Sequence, residues 1–411
     1  MKKYSSGISI MRILIFLFLP LVLWAEPVKL GIDRFFEEGQ NVIVKNKQVG
    51  LVTNHTGVDS NLCSTIELFK KNANLKAIFT LEHGLKGSGR AFEKIPHQKE
   101  SIPIYSLHGE TRRPTAEMLK EIDILVYDIQ EIGCRSYTYI STLFYVMEEA
   151  AKKKIPVVVL DRPNPMGGVV VDGPMLKEKW RSFMGYVNVP YCHGMTVGEL
   201  GRFFNEEYKI GCNLHVVPMS GWNRKMTFKE TGLSWIPTSP YIPEPDTPFY
   251  YASTGILGAL GVVNIGIGYT LPFKVVGAPW IDADNFAKKL NAQKLPGVKF
   301  VPFHYKPFYG KFKGKQCEGV KIMITNVHKY RPLAVQYMLI GMLKSLYPTP
   351  FRAQLGQLTD LDKSLFSKVN GTDKVLSIIE NEQYIAWKLI GYDKEEREAF
   401  IEKRKKYLLY D

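Results

Sequence analysis

Five short runs of β-branched and apolar residues punctuate the first half of the chain: QVGLVT (48–53), LKAIFT (75–80), IPIYS (102–106), IDILVY (122–127) and IPVVVL (155–160). They are continuous rather than alternating, the pattern of strands covered on both faces, as in a parallel sheet. Between them STIELFKKN (64–72), RPTAEMLKEI (113–122) and TLFYVMEEAAKKK (142–154) carry helical periodicity. The β-α-β order predicts an α/β fold with a Rossmann-like N-terminal domain on a mostly parallel sheet. Right-handed crossovers then bring the C-terminal end of every strand to one edge, where such sheets bind ligands.

Past these runs the pattern changes. WIPTSPYIPEPDTP (235–248) holds five prolines in fourteen residues and reads as a rigid, extended crossing between domains. The Gly-rich apolar segment TGILGALGVVNIGIGY (254–269), the helical PLAVQYMLIGMLKSLY and the basic KEEREAFIEKRKKYLLY follow. They predict a smaller α/β C-terminal domain. The expected limits are 26–238 for the Rossmann-like domain and 239–411 for the smaller one, and 411 residues with 45% hydrophobic content are enough for both cores.

At the N-terminus, Lys2, Lys3 and Arg12 precede ILIFLFLPLVLW (13–24), which stops at Ala25. That is the layout of a secretory signal peptide over residues 1–25, and twelve apolar residues are too few to cross a bilayer. An exported protein, periplasmic or extracellular, is expected. Five cysteines without C-x-x-C spacing indicate neither a zinc knuckle nor a disulfide framework, and leave room for at most one bridge. The formal net charge of +14 attracts anionic partners. Export and the lack of a basic stripe interleaved with aromatics argue against nucleic acid, which leaves an anionic envelope surface.

The strand tips gather chemistry. They read Asn54-His55, Glu82-His83, His108-Gly109-Glu110, Asp128-Ile129-Gln130-Glu131 and Asp161-Arg162-Pro163-Asn164. Loops are polar in any case, but an acid, His or Asn at all five tips exceeds loop composition and predicts a site at that edge. LEHGLKGSGR (81–90) lacks the glycine spacing of a P-loop or dinucleotide fold, and no G-x-S-x-G elbow follows a strand. His83, His108, Asp128 and His193 are the conceivable metal ligands, but no local pair such as H-x-x-x-H supports them, so neither metal nor cofactor is expected. Carboxylates remain: Glu82, Asp128, Glu131 and Asp161. An acid and a second carboxylate flanking the bond is the usual equipment for glycoside hydrolysis, although an Asp after a strand also caps helices. Glu82 is followed by Gly84, Gly87 and Gly89 instead of a helix, which gives the backbone freedom to turn and a ligand room to approach.

Several longer blocks are idiosyncratic: LEHGLKG (81–87), DIQEIGCRSYTYISTL (128–143), VLDRPNPMGGVVVDGP (159–174), YCHGMTVGELGRFFN (191–205), PFKVVGAPW (272–280) and FIEKRKKYLLY (400–410). Together, from about residue 30 to the C-terminus, they resemble the exo-β-N-acetylmuramidase family, long known as a domain of unknown function. The resemblance implies removal of terminal N-acetylmuramic acid from peptidoglycan fragments, in a cleft between the two domains, with Glu82 as catalytic acid. Asp128 and Glu131 are its candidate companions. Arg135 and Arg162 would read the sugar's lactyl carboxylate, or pair internally with Asp128 or Asp161. Tyr137 would stack on the ring, and Asn54, His83, Asn164 and His193 would bind its polar groups. Of Tyr137 and Tyr139 only one can face the site if that stretch is extended. In GALGVVNIGIGYTLPF (258–273), Ile267 stands where the family pattern has an arginine, and the acid upstream is missing. Altered specificity, or a fragment-binding protein derived from the enzyme, is the alternative reading.

Overall fold

The structure, a computed structural model, describes residues 27–411; the stretch read as a signal peptide lies outside the described residues. No helix among the described residues is long and apolar enough to cross a membrane.

Strands β1 (Gln48–Thr53), β2 (Asn74–Thr80), β3 (Ile104–Ser106), β4 (Ile124–Asp128), β5 (Val157–Leu160) and β6 (Leu214–Val217) form one parallel sheet in the order β3-β2-β1-β4-β5-β6. This is the order of a Rossmann-type sheet, with its topological switch between β1 and β4. Successive strand residues serve opposite faces. Val49, Leu51, Ile124, Val126 and Val158 pack beneath helices α1 (Gly31–Glu37) and α2 (Thr65–Asn72), whose Phe35 and Phe69 stack at 5.7 Å. Val52, Leu125, Tyr127, Val157 and Val159 belong to the other face, covered by α3 (Tyr139–Lys153) and α4 (Val197–Glu207). Both faces are apolar, which is why the strands read as unbroken hydrophobic runs.

The C-terminal half starts with α5 (Thr247–Leu260), β7 (Val275–Ala278), α6 (Ala283–Ala292), β8 (Val298–Tyr305) and β9 (Cys317–Ile324). The helices α7 (Pro332–Leu346), α8 (Pro348–Leu355), α9 (Asp360–Asn370), α10 (Lys374–Asn381), α11 (Ala386–Gly391) and α12 (Lys394–Arg404) complete it. Its small sheet is antiparallel, in the order β7-β9-β8, so the fold is α/β with a parallel and a separate antiparallel sheet. The apolar cluster on the α3 face continues into this half through Ile256, Val276, Phe300 and Leu339.

Two local expectations change, and a third gains detail. RPTAEMLKEI forms turns instead of a helix: only Leu119 N–H bonds four residues back, and Lys120 and Ile122 bond three back. The segment lies between Pro114 and Asp123, whose N–H is already held by the Gln48 carbonyl at 2.8 Å, and so few residues cannot offset the cost of helix nucleation. The edge strand β6, half exposed, carries too little hydrophobic signal to be found in the pattern. The Pro-rich 235–248 segment is pinned to the Rossmann-like half: His55 Nε2 donates to the Pro237 carbonyl (2.5 Å), and the Tyr139 and Tyr137 hydroxyls donate to the carbonyl and hydroxyl of Thr238. All five cysteines are free thiols.

The chain end returns to the first half. Tyr407 packs edge-on to Phe203 at 5.2 Å, and the Tyr410 hydroxyl donates to Asp161 at 2.5 Å. Asp161, fully buried at the tip of β5, also accepts from Thr196 Oγ1 and Gly198 N–H and so caps α4. Burial pushes its carboxyl up to about 7, against the hydrogen bonds from Tyr410 and Gly198 that favour the ionised form. A carboxyl raised above its unfolded value binds more protons folded than unfolded, so its contribution to stability is present at low pH and is lost as pH rises from about 4 to 7. Tyr410→Phe removes a donor that favours the charged form. It is expected to cost about 1.5–3 kcal/mol at pH 8 and clearly less at pH 5; urea unfolding at the two pH values measures the difference.

Candidate active site

The tip of β2 turns at once. Gly84 N–H bonds the Leu81 carbonyl (2.9 Å), with His83 at φ +72° and Gly84 at +76°. The glycines beyond serve packing of the protein on itself, a correction to the expectation that they clear space for sugar. A Cβ on Gly87 would lie 2.0 Å from the His55 ring, and the Gly89 carbonyl accepts from His83 Nδ1 at 2.8 Å. A carbonyl only accepts, so Nδ1 carries the proton in the neutral ring and Nε2 is left as an acceptor.

The turn holds Glu82 6% exposed. Its Oε2 accepts from Thr138 Oγ1 (2.5 Å) and its Oε1 from the Phe92 N–H (2.9 Å), with His108 Nε2 3.8 Å away. Phe92 is at φ +67°, a conformation that strains a residue with a side chain, while its ring stands 67% exposed at the lip. Burial, the largest effect, and Arg112 both hold His108 below the usual imidazole range, with Glu82 opposing; at neutral pH the ring is uncharged.

Two cavities meet at Glu82. One, of about 350 Å³, is lined by Tyr137, Tyr241, Tyr251, Ile242 and Phe273 besides Glu82 and His83. The other, of about 240 Å³, is lined by His108, Arg112, Ser182 and Lys368. Glu82, Phe92, Thr138 and Met184 border both. Burial pushes the Tyr137 phenol up to about 12 and Tyr251 well up, so both stay neutral hydrogen-bonding groups. Among the described residues lining the two lobes, Glu82 is the one carboxylate. A third cavity, of about 20 Å³ beside Arg162, holds little more than a water.

Sequence and structure comparisons agree on the family. Residues 49–246 match the model of the N-terminal region of exo-β-N-acetylmuramidase NamZ, and 249–410 that of its C-terminal region. The chain is 37% identical over 388 residues, 93% of its length and 91% of the relative's, to the peptidoglycan β-N-acetylmuramidase NamZ of Bacillus subtilis. The chain belongs to the NamZ family. Two crystal structures of DUF1343 family proteins from Bacteroides fragilis share its fold. One has a TM-score of 0.87 and 40% identity over 94% of this chain and 99% of that one; the other has a TM-score of 0.71 and 28% identity over 93% and 99%.

In this NamZ family member the expected residues divide. Glu82, His83 and Tyr137 line the cleft, and Tyr139 lies buried against Tyr137 with its hydroxyl on the Thr238 carbonyl. The others serve the switch point and its loops. Asp128 is fully buried, clasped by Arg162 through Nε (2.6 Å) and Nη2 (2.8 Å) and by Thr65 Oγ1 (2.5 Å). Glu131 accepts from Gly133 N–H and faces His193 Nε2 at 3.7 Å. Asn54 and Asn164 fold back on the backbone of Thr56 and Met166. Arg135 gives its Nη hydrogens to the carbonyls of Pro174, Val189, Val369 and Asn370. Of those conceived as metal ligands, Asp128 is taken up by Arg162 and His193 faces Glu131, and no three acids, histidines or cysteines among the described residues form a ligand set. Ile267 packs half-buried against the main core, outside the cleft lining.

His108, marked as a strand-tip residue, borders the smaller lobe, and residues unmarked in the sequence complete the site: Thr138, Phe92, Arg112, Lys368, and the α5 face carrying Tyr251, Gly255 and Gly258. Two glycines three apart inside a helix were the one available signal, since each weakens a helix by about 1 kcal/mol and implies close approach. Arg162→Met strands a buried carboxylate and is expected to cost about 3–5 kcal/mol. Adding Asp128→Asn should restore part of it, a double-mutant cycle read by urea denaturation.

Proposed function

We propose that this protein is an exo-acting glycoside hydrolase that releases terminal N-acetylmuramic acid from peptidoglycan fragments, with Glu82 as catalytic acid. The observation that carries the reading is the position of Glu82: it is held by Thr138 and the Phe92 N–H where the two lobes meet, within reach of the glycosidic oxygen of a sugar whose ring lies in the larger lobe. The larger lobe, about 350 Å³, is near the lower end for small-ligand sites and suits one substituted sugar better than a chain, which supports action at ends. The β-N-acetylmuramidase activity for which the Bacillus subtilis relative is named supports the choice of sugar.

Asp128 and Glu131 are hydrogen-bonded elsewhere, so a two-carboxylate mechanism has no evident second member in the lining. A substrate-assisted course fits better. Glu82 protonates the glycosidic oxygen as the substrate's acetamide oxygen attacks C1, breaking the C1–O bond and giving a cyclic oxazolinium. Water then opens the ring at C1 while the Glu82 carboxylate takes the water's proton, with net retention. His83 Nε2, Tyr137 and Tyr251 are the polar groups at hand to orient the acetamide. We place this chemistry outside the cytoplasm, where wall fragments arise and where basic surface meets anionic envelope. The alternative of a protein that only binds fragments rests on Ile267 and on the missing upstream acid; Ile267 sits outside the lining, while Gly258, Ala259 and Phe273 of the same segment lie in it.

Glu82→Gln preserves shape and hydrogen-bonding reach but cannot donate the proton. It is expected to keep the wild-type melting curve and lose at least ~100-fold in release of p-nitrophenol from p-nitrophenyl β-N-acetylmuramide. Turnover at the wild-type rate removes Glu82 from the mechanism. A thiazoline of muramic acid, resembling the cyclised acetamide, should inhibit competitively; indifference to it removes the substrate-assisted course.

A further inference from the structure

The two arginines the sequence offered for the lactyl carboxylate are both engaged inside the protein, Arg162 by Asp128 and Arg135 by backbone carbonyls. A sugar acid in the cleft therefore needs another cation. The smaller lobe supplies two, Arg112 from the loop after β3 and Lys368 from the last turn of α9. Among the described residues neither has a carboxylate within 4.0 Å, whereas their neighbours are tied down. Arg113 bonds Glu148 (2.6 Å), Glu149 (3.1 Å) and the Tyr186 hydroxyl, which anchors the loop to α3 and its surroundings. Arg112 itself lies with its guanidinium carbon 4.0 Å from the centre of the Phe183 ring, a stacking contact that orients the planar fork. Arg135 clamps the carbonyls of Val369 and Asn370, the residues immediately after Lys368. Each free cation thus stands on a fixed support and lines the cavity that Glu82 borders.

We propose that Arg112 and Lys368 form a carboxylate subsite that takes the lactyl group of the terminal muramic residue and so distinguishes it from N-acetylglucosamine. Arg135 is then a positioning residue, acting through the end of α9 without touching the sugar. The inference rests on the reading of the cleft given above, and the charge of the ligand separates the two.

The test compares p-nitrophenyl β-N-acetylmuramide with its lactyl N-methylamide, which keeps the shape and removes the charge. Arg112→Ala and Lys368→Ala should each raise KM for the acid about tenfold, change KM for the amide less than about twofold, and leave kcat within a similar margin; Arg112→Lys should recover part of the loss. Equal effects on acid and amide, or no effect on either, overturn the subsite. Should Glu82→Gln retain turnover, the catalytic assignment falls while the acid-against-amide difference still decides this proposal. Should the wild type cleave neither compound, N-acetylmuramic acid and its methylamide are titrated calorimetrically. A preference for the acid that Arg112→Ala abolishes upholds the subsite, and equal binding overturns it.

Discussion

The cleft depends on one buried guanidinium. Arg135 is fully buried, and burial lowers its pKa to about 10, still charged at neutral pH. An ion in such a place needs hydrogen-bond partners; Nε has none, and the two Nη groups find four carbonyls from three separated segments: Pro174, Val189 and the end of α9. The last two carry the negative end of the α9 dipole, which offsets the cation without a carboxylate. Gly371, at φ +82°, is required beside it, since a Cβ there would lie 2.6 Å from Nη2. One side chain from the loop after β4 therefore fixes a C-terminal helix over the Rossmann edge.

That clamp decides which residues meet. Leu365, Lys368 and Val369 of α9 close one side of the cavities, Tyr251 and Phe273 the back, and Tyr241 and Ile242 of the Pro-rich segment another wall. The strand ends and loops of the parallel-sheet half contribute Glu82, His83, Phe92, His108, Arg112, the 136–138 turn and the 182–184 loop. The ligand cleft consequently lies toward the β2 and β3 tips. The switch point between β1 and β4, where a Rossmann sheet ordinarily takes its ligand, is filled by Asp128, Arg162 and Thr65, which satisfy one another, while Asn54 at the tip of β1 is bonded to Thr56.

This arrangement explains why a rim crowded with ionisable groups yields a site with a single carboxylate. Parallel strand ends present unpaired backbone groups and helix N-termini, and acids such as Asp161 satisfy them from within. Asn54 and Asn164 do the same for their own turns. The chemistry of a tip residue follows from what its neighbours leave unpaired, and Glu82 differs because its partners are donors at the lip of a cavity.

Sequence alone determined the doubly wound half, since residues buried on both faces must be apolar in unbroken runs, and it marked Glu82 through a strand that ends in an acid without a following helix. It also identified the family, because long local blocks such as LEHGLKG and DRPNPMGG survive without reference to contacts. Tertiary structure decided the rest. Whether Arg135 or Arg112 faces a ligand depends on carbonyls more than two hundred residues away in the first case and, in the second, on the lack of a carboxylate within 4.0 Å among the described residues. Neither leaves a trace in local spacing: a buried ion's partners are chosen by the packing of distant segments, and the pattern of hydrophobic positions records only which residues are buried.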